Sequence, residues 1–227
     1  LFHSNFLLSV FIDRSGCIWI CTGEGVYCCR ELKDLNTEHV KIEPNTNREW
    51  SNYVRHISNI GNDKLAVSTR ANRTYIYDTR TQQRTLERQT DACVYDYAID
   101  PQGKKWISTK GDGIYIDNVR YSKYKKEHYA PGAAFYKTIF DKQGRAWIAT
   151  WGEGLLITPQ TTGQQPRKFE QFLNANGKEA QIHDLLLDHK GRLWICSNNG
   201  ILMVNTVEKK ITAQKFLRFS DENGKLP

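Results

Sequence analysis

Short apolar stretches alternate with polar turns along the whole chain. Val10-Phe11-Ile12 and Leu185-Leu186-Leu187 are two such stretches, and each is followed by an aspartate, two variable residues and a glycine. Asp at the first and Gly at the fourth position are typical of a type I turn that closes a β-hairpin. A second apolar stretch beginning with Trp-Ile comes soon after each turn, and helical periodicity is absent. The pattern therefore predicts an all-β chain of paired strands.

One phrase recurs at long intervals, D-x-x-G-x-x-W-I-x-T or S. Four clear copies occupy residues 13–22, 100–109, 141–150 and 188–197. A degenerate copy lies after the first, with Asn59 in place of the aspartate and Leu65 in place of the tryptophan. Successive copies are 46, 41, 41 and 47 residues apart, which is the length of a four-stranded propeller blade. The repeats predict a β-propeller with about five blades.

Three positions of the phrase have predicted structural roles. The aspartate side chain can accept backbone N–H bonds inside the turn, and the glycine completes the turn. One large aromatic side chain per repeat is suited to fill the space between neighbouring sheets. The predicted structural residues are Asp13, Asp100, Asp141 and Asp188, then Gly16, Gly103, Gly144 and Gly191, and in the inter-blade core Trp19, Trp106, Trp147 and Trp194.

A second glycine-containing turn follows the hydroxyl residue, as in Gly23-Glu24-Gly25 and Gly152-Glu153-Gly154, and a third strand begins after it. The remainder of each period varies in length and polarity, as expected of an outer strand and a connection. The predicted repeats are about 1–45, 46–88, 89–128, 129–175 and 176–215, with 216–227 as a linker toward a further blade.

The phrase together with the following G-x-G closely resembles the repeat of two-component regulator propellers. The resemblance implies the periplasmic sensor region of a hybrid two-component histidine kinase, an inner-membrane protein. It also implies paired seven-bladed propellers followed by an immunoglobulin-like domain, so five repeats indicate a fragment. The ligand implied is an oligosaccharide, and the output is a transcriptional response. No kinase, receiver or DNA-binding motif is present in the chain.

Composition narrows the possibilities. The net charge of +7 arises from 32 basic residues scattered among 25 acidic ones, so nucleic-acid binding is not expected. A short basic and aromatic patch at 120–126 is interpreted as a solvated outer strand. If the patch binds a ligand, an anionic sugar would suit it. No stretch approaches the roughly 20 apolar residues of a membrane span. We expect membrane attachment only through other segments.

The six cysteines have neither the density of a disulfide framework nor a paired metal spacing. Cys21 and Cys196 fall at one repeat position, at which we expect a small buried residue. Free, buried thiols are favoured over disulfides, and we predict no metal and no cofactor.

Propellers usually bind ligands at one rim, through the loop after the second strand and the connection into the next inner strand. Trp151 and Trp50 are the principal candidates, because both lie outside the structural tryptophan position and an indole suits the apolar face of a sugar. Their alternative role is to cover loops or to pack on a neighbouring domain. The other candidates are Glu153, Asp112, Arg73, Asn198 and Tyr53, and the connections add Tyr95, Tyr136 and His183.

Three functions stay open at this point. The favoured one is a noncatalytic sensor module that binds an oligosaccharide. A scaffold or dimerisation propeller, which would contact another propeller or a second copy, comes next. A propeller lyase is the least favoured, because the histidines share no repeat position and neither G-x-S-x-G nor H-E-x-x-H occurs.

Overall fold

The computed structural model describes residues 6–30, 37–48, 50–117, 119–121, 134–152, 154–158, 170–173, 181–198, 200–208, 211 and 217–219. The chain divides into two compact units, Leu1–Tyr97 and Ala98–Pro227. No helix able to cross a membrane is found in the described ranges.

In the described ranges twenty strands form five antiparallel sheets of four strands each, and the strands follow one another in chain order within every sheet. The all-β prediction is thereby confirmed. The first sheet holds β1 (Leu7–Ile12), β2 (Ile18–Thr22), β3 (Gly25–Cys29) and β4 (Thr37–Val40), and the second β5 (Val54–Gly61), β6 (Lys64–Thr69), β7 (Arg73–Asp78) and β8 (Arg84–Gln89). The third holds β9 (Val94–Ile99), β10 (Lys105–Thr109), β11 (Ile114–Ile116) and β12 (Val119–Tyr121), the fourth β13 (Ala134–Phe140), β14 (Ala146–Trp151), β15 (Leu155–Ile157) and β16 (Glu170–Leu173), and the fifth β17 (Ile182–Leu187), β18 (Arg192–Ser197), β19 (Gly200–Asn205) and β20 (Leu217–Phe219).

The D-x-x-G turn joins the first two strands of four sheets. In the fourth sheet the N–H of Gly144 donates to the carbonyl of Asp141 at 2.9 Å, and Gly144 has a φ of 73°. Asp141 Oδ1 accepts the N–H groups of Gln143 and Arg145, both at 3.0 Å. A left-handed residue at the end of a type I turn is the usual closure of a hairpin loop of this length, which is why glycine recurs there.

The second carboxylate oxygen explains why aspartate and tryptophan recur together. Asp141 Oδ2 accepts the indole N–H of Trp147 at 2.8 Å. The same bond is repeated for Trp19 with Asp13 (2.8 Å), Trp106 with Asp100 (3.1 Å) and Trp194 with Asp188 (3.0 Å). In the second sheet Leu65 packs against Trp19 and so faces the first sheet, whereas the tryptophan of the phrase faces the following sheet of its unit. The predicted replacement of the tryptophan by Leu65 is therefore wrong in structural terms, and Asn59 accepts the N–H of Gly61 at 2.8 Å.

The core of the first unit lies between its two complete sheets. Trp19 is 2% exposed and packs against buried residues of the second sheet, among them Leu65 and Val67. Its ring meets that of Tyr77 edge to face, with 5.9 Å between centroids. The tryptophan of the phrase thus fills the space between one sheet and the next.

The second unit repeats this arrangement. Trp106 packs against the fourth sheet, and Trp147 packs against the fifth. Trp194 differs, because it is only half-buried. Cys196, on the same strand, is exposed, so the expected burial of this position is wrong for the fifth sheet. In the first, third and fourth sheets the next sheet of the same unit buries this position, whereas the described residues leave Cys196 exposed.

The expectation of free thiols is also wrong for one pair. A disulfide joins Cys17 and Cys28, whose Cα atoms are 6.6 Å apart. Trp19 lies directly opposite Cys28 in the β2–β3 ladder, so Cys17, two residues before Trp19, is on the same face and diagonal to Cys28. Cys21 remains a free buried thiol, and burial raises its pKa to about 12.

One predicted boundary needs correction. Residues 217–219 form β20, the outer strand of the fifth sheet, and Leu202 pairs with Arg218 in that ladder. Part of the segment predicted as a linker therefore completes a blade. The remainder of 216–227 and most of the 120–126 patch lie outside the described residues.

Candidate functional site

The recurring hydroxyl closes the second hairpin of a repeat. Thr150 Oγ1 donates to the carbonyl of Gly154 at 2.7 Å, and Thr109 bonds Gly113 at the same distance. Thr22 and Ser197 make the equivalent bonds at 3.0 Å. The residue after the hydroxyl is consequently fixed at the edge of the sheet where the loops lie.

A β-bulge occurs opposite that hydroxyl in four first strands. The register shifts by one residue between Val54 and His56, because Val54 pairs with Thr69 and His56 pairs with Ser68. The extra residues in the four strands are Leu8, Arg55, Tyr136 and His183. Bulges turn a side chain out of the regular alternation and are common near binding sites. Three of these sheets therefore present two side chains at one edge, a bulge residue and the residue after the hydroxyl, whereas in the first sheet that second residue is Gly23.

In the second unit these positions form an aromatic group that we name the Trp151 cluster, comprising Tyr136, Trp151, Gln181, His183 and Asn198. The indole of Trp151 stacks on Tyr136, with 5.6 Å between centroids and 26° between planes. It meets His183 edge to face at 5.1 Å. The side chain of Asn198 bonds both His183 and Gln181. Trp151 is held on two sides and is nevertheless 39% exposed.

In the first unit Trp50 and Tyr53 lie on the connection into the second sheet. They line a groove of about 400 Å³, the Trp50 groove, together with Gly23, Glu24, Lys41, Thr46, Asn47, Arg48, Ser51 and Asn52. Arg70 covers the rings, with its guanidinium carbon 4.0 Å from the centroid of Trp50 and 5.3 Å from that of Tyr53. Trp50 is 40% exposed. A cation over an indole face gains electrostatic stabilisation from the ring.

Arg73, which the sequence predicted as a ligand-binding residue, is instead paired within the fold. Its guanidinium donates to Glu43 at 3.0 Å and to Gln89 at 2.7 Å, and Tyr75 donates to the same carboxylate at 2.6 Å. Burial disfavours the charged form of Arg73, but the contacts with Tyr75 and Glu43 outweigh burial and raise its pKa. The charge is already neutralised within the fold.

Asp112 is also unsuited to bind a ligand at the rim. It is 4% exposed, and its carboxylate accepts the hydroxyl of Tyr115 at 2.5 Å. The expectation that Asp112 faces a ligand is therefore wrong, because the turn places the side chain inward. Glu153 lies outside the described residues.

Sequence reasoning missed two arginines. Arg70 follows Thr69 just as Trp151 follows Thr150, so the aligned repeats contained the signal. Arg55 is a bulge residue, and its guanidinium carbon lies 4.6 Å from the ring centroid of Tyr95. A bulge follows from the pairing register, which no single repeat reveals.

A serine, a histidine and an aspartate of the first unit lie in series, but their contacts are not those of a catalytic triad. His56 Nε2 is 2.7 Å from Ser58 Oγ and 3.1 Å from Asp96 Oδ1. Both contacts use the same ring nitrogen, whereas a catalytic triad uses both nitrogens to orient the base and to take the proton. In the described part of the chain no group of three or more metal-ligating side chains could hold an ion.

Five four-stranded sheets, with a tryptophan packed between neighbouring sheets within each unit, define the chain as a set of β-propeller blades. The sequence profile of a family described as two component regulator propeller matches residues 176–199. No curated protein matches the chain.

Solved structures share the fold. The extracellular domain assigned to the hybrid two component system BT3049 from B. thetaiotaomicron aligns with a TM-score of 0.72 at 22% identity, over 97% of this chain and 30% of that one. The corresponding domain of BT4673 from the same organism aligns with a TM-score of 0.72 at 20% identity, over 96% of this chain and 31% of that one. PorZ, a surface component of the type-IX secretion system of Porphyromonas gingivalis, aligns with a TM-score of 0.66 at 15% identity, over 98% of this chain and 35% of that one. The chain spans about a third of the length of these structures.

Proposed function

We propose that the chain is part of a noncatalytic sensor module, outside the cytoplasm, that binds an oligosaccharide at the rim formed by the bulge residues. The observation that carries the proposal is the Trp151 cluster. Its indole is fixed by Tyr136 and His183 yet stays 39% exposed. A rigid, partly exposed aromatic ring binds at low conformational cost, because little side-chain entropy is lost on contact.

The polar part of the cluster complements the ring. Asn198 and Gln181 supply amide donors and acceptors, and His183 adds a ring nitrogen. Sugars present an apolar C–H face bordered by hydroxyls, so an indole flanked by amides matches both parts. Ligand sites commonly combine apolar or aromatic walls with a few polar groups that fix orientation.

The sensor role rests on the repeat and on the fold shared with extracellular domains of two-component systems. A hybrid histidine kinase of the inner membrane, with a periplasmic sensor region, fits this relationship. Neighbouring propeller and immunoglobulin-like domains would then be its partners within one polypeptide. The Cys17–Cys28 disulfide supports a location outside the cytoplasm, since disulfides persist in oxidising compartments.

Calorimetric titration of the protein that contains this chain, against a panel of neutral and anionic oligosaccharides, tests the proposal. We expect saturable binding that weakens about tenfold or more in Trp151→Ala, equivalent to about 1.4 kcal/mol. Trp151→Phe keeps an aromatic face and should retain part of the affinity. Leu86→Ala, at a residue 50% exposed on the outer strand β8, is the matched control and should bind as the parent does.

Binding that is unchanged in Trp151→Ala would remove the cluster from the site. Absence of binding to every sugar, in protein with an intact thermal transition, would overturn the proposal.

A second candidate is a scaffold or dimerisation propeller. Val10 and Ile12 on β1 are 62% and 61% exposed, and Leu186 on β17 is 63% exposed. Exposed apolar side chains on sheet faces favour association with another protein surface. Analytical ultracentrifugation separates the candidates, because a dimer that dissociates in Val10→Lys would favour association.

A further inference from the structure

We infer that the Trp50 groove selects a sugar carrying a carboxylate or sulfate group. This inference rests on the proposed sugar-sensing function, and it names the chemical class of sugar that the first unit would bind. The groove would hold the acidic group beside Arg70, Arg48 and Lys41 and place the sugar ring against Trp50.

The groove carries cations that no described acidic side chain pairs with. Lys41, Arg48 and Arg70 are all exposed, and none of them forms a side-chain hydrogen bond or an ion pair with any described residue. Glu24 is the single acidic residue among the described lining residues. Arg73 gives the contrast, because Glu43 pairs with it at 3.0 Å. Guanidinium groups bind carboxylate and sulfate in a planar two-pronged geometry that a neutral sugar cannot offer.

The groove is built before any ligand arrives. Asn52 closes its loop, accepting the N–H of Glu43 at 2.8 Å and donating to the carbonyl of Glu43 at 3.0 Å. The backbone N–H of Arg70 donates to the carbonyl of Tyr53 at 2.8 Å. These bonds hold the arginine and the aromatic residues in one arrangement.

Trp50 is held in an unusual backbone conformation. Its φ is 67°, in the left-handed region that a bulky residue rarely adopts. Such conformations persist where the surrounding structure enforces them, and they cluster at binding sites. The backbone strain at Trp50 is therefore consistent with a ligand contact.

An independent observation comes from Ser51, which lines the groove. The residue is 1% exposed, and its Oγ has no hydrogen-bond partner among the residues that the structure describes. A buried hydroxyl without a partner costs free energy. A sulfate or carboxylate oxygen would supply the missing acceptor.

The test compares a uronic acid disaccharide and a sulfated disaccharide with their neutral counterparts, by calorimetry on the protein that contains this chain. We expect the acidic sugars to bind more tightly, and their affinity to fall about tenfold in Arg70→Gln and to decline as salt is raised. Affinity for neutral sugars should change less than about twofold. Arg84→Gln, which removes an exposed arginine from β8, is the charge-matched control and should leave both affinities unchanged.

The outcomes separate this inference from the proposed function. Neutral sugars that bind as well as acidic ones, with affinity lost in Trp151→Ala and retained in Arg70→Gln, would overturn the inference and keep the sugar sensor. Acidic sugars whose affinity does not respond to Arg70→Gln would also overturn it. Binding of an acidic peptide in preference to every acidic sugar would overturn both.

Discussion

Asp141→Asn is the change that probes the repeat most directly. The asparagine keeps an oxygen for the turn N–H groups, but it places an NH₂ group where Oδ2 was. That oxygen accepts the indole N–H of Trp147 at 2.8 Å and the Arg145 Nε–H at 2.7 Å. The substitution therefore sets donors against donors in a buried region.

The expected loss follows from burial. The side chain of Asp141 is 0% exposed and that of Arg145 is 9% exposed. Removing one partner of a buried ion pair costs roughly 3–5 kcal/mol. Arg145 still donates to the carbonyls of Thr206 and Glu208, so we place the loss at the lower end, about 3 kcal/mol. In urea this would lower the unfolding midpoint by about 1 to 2 M.

Asp188→Asn is the matched control. Asp188 makes the same bonds, to Trp194 at 3.0 Å and to Arg192 at 2.7 Å. Its side chain is 14% exposed and that of Arg192 is 37% exposed, so water can solvate the groups left behind. Urea unfolding followed by tryptophan fluorescence should give a clearly smaller shift for this variant.

A second substitution gives a further arm. Asp141→Asn is combined with Trp147→Leu, which removes the indole N–H that Asp141 Oδ2 accepts. The double-mutant cycle should show that the two losses overlap, with a coupling of about 1 kcal/mol or more. Equal midpoint shifts in the two single variants, or additive losses in the cycle, would refute the role assigned to the second carboxylate oxygen.

Three other predictions follow from the described geometry. Gly25→Ala should destabilise the first sheet by about 2 kcal/mol or more, measured by thermal unfolding, because φ is +140° and a Cβ would lie 2.6 Å from a carbonyl oxygen of β4. Burial opposes ionisation of Asp13 and Asp188, but hydrogen bonds outweigh burial and hold both pKa values below 3.8. Their contribution to stability is therefore full above about pH 4 and is lost as the pH falls further. The acid limb of the stability curve should change in Asp13→Asn and Asp188→Asn, and an unchanged limb would contradict this. A maleimide at pH 8 should label Cys196 in the native protein and leave Cys21 unlabelled until unfolding, as read by mass spectrometry, whereas rapid native labelling of Cys21 would disprove its burial.

Local features of the chain could be predicted because their causes are local. The D-x-x-G turn, the hydroxyl and the tryptophan position each depend on a few neighbouring residues, and Asp141 with Gly144 and Trp147 shows all of the bonds involved. The strand pattern follows from the same short range of interactions.

Features that depend on register or on a neighbouring sheet could not be predicted. Cys17 meets Cys28 only because the β2–β3 ladder aligns Trp19 with Cys28. Cys196 occupies the same repeat position as Cys21, yet only Cys21 is buried, because the second sheet packs over Cys21 and no described sheet packs over Cys196. Of the candidate site, Trp50 with Tyr53 and Trp151 with His183 were named from the sequence, whereas Arg70 required the aligned repeats to be followed one residue beyond the hydroxyl.

The bulge at the start of the first strand separates the residue presented at the sheet edge from the residues that pair the strands. The extra residue is not needed for the strand ladder, since Val54 and His56 on either side of Arg55 make the pairs. Leucine, arginine, tyrosine and histidine all occupy this position in one chain. Substitution there can change the side chain that the sheet edge presents while the turn, the hydroxyl and the tryptophan continue to secure the blade, so this position can vary independently of the strand pairing.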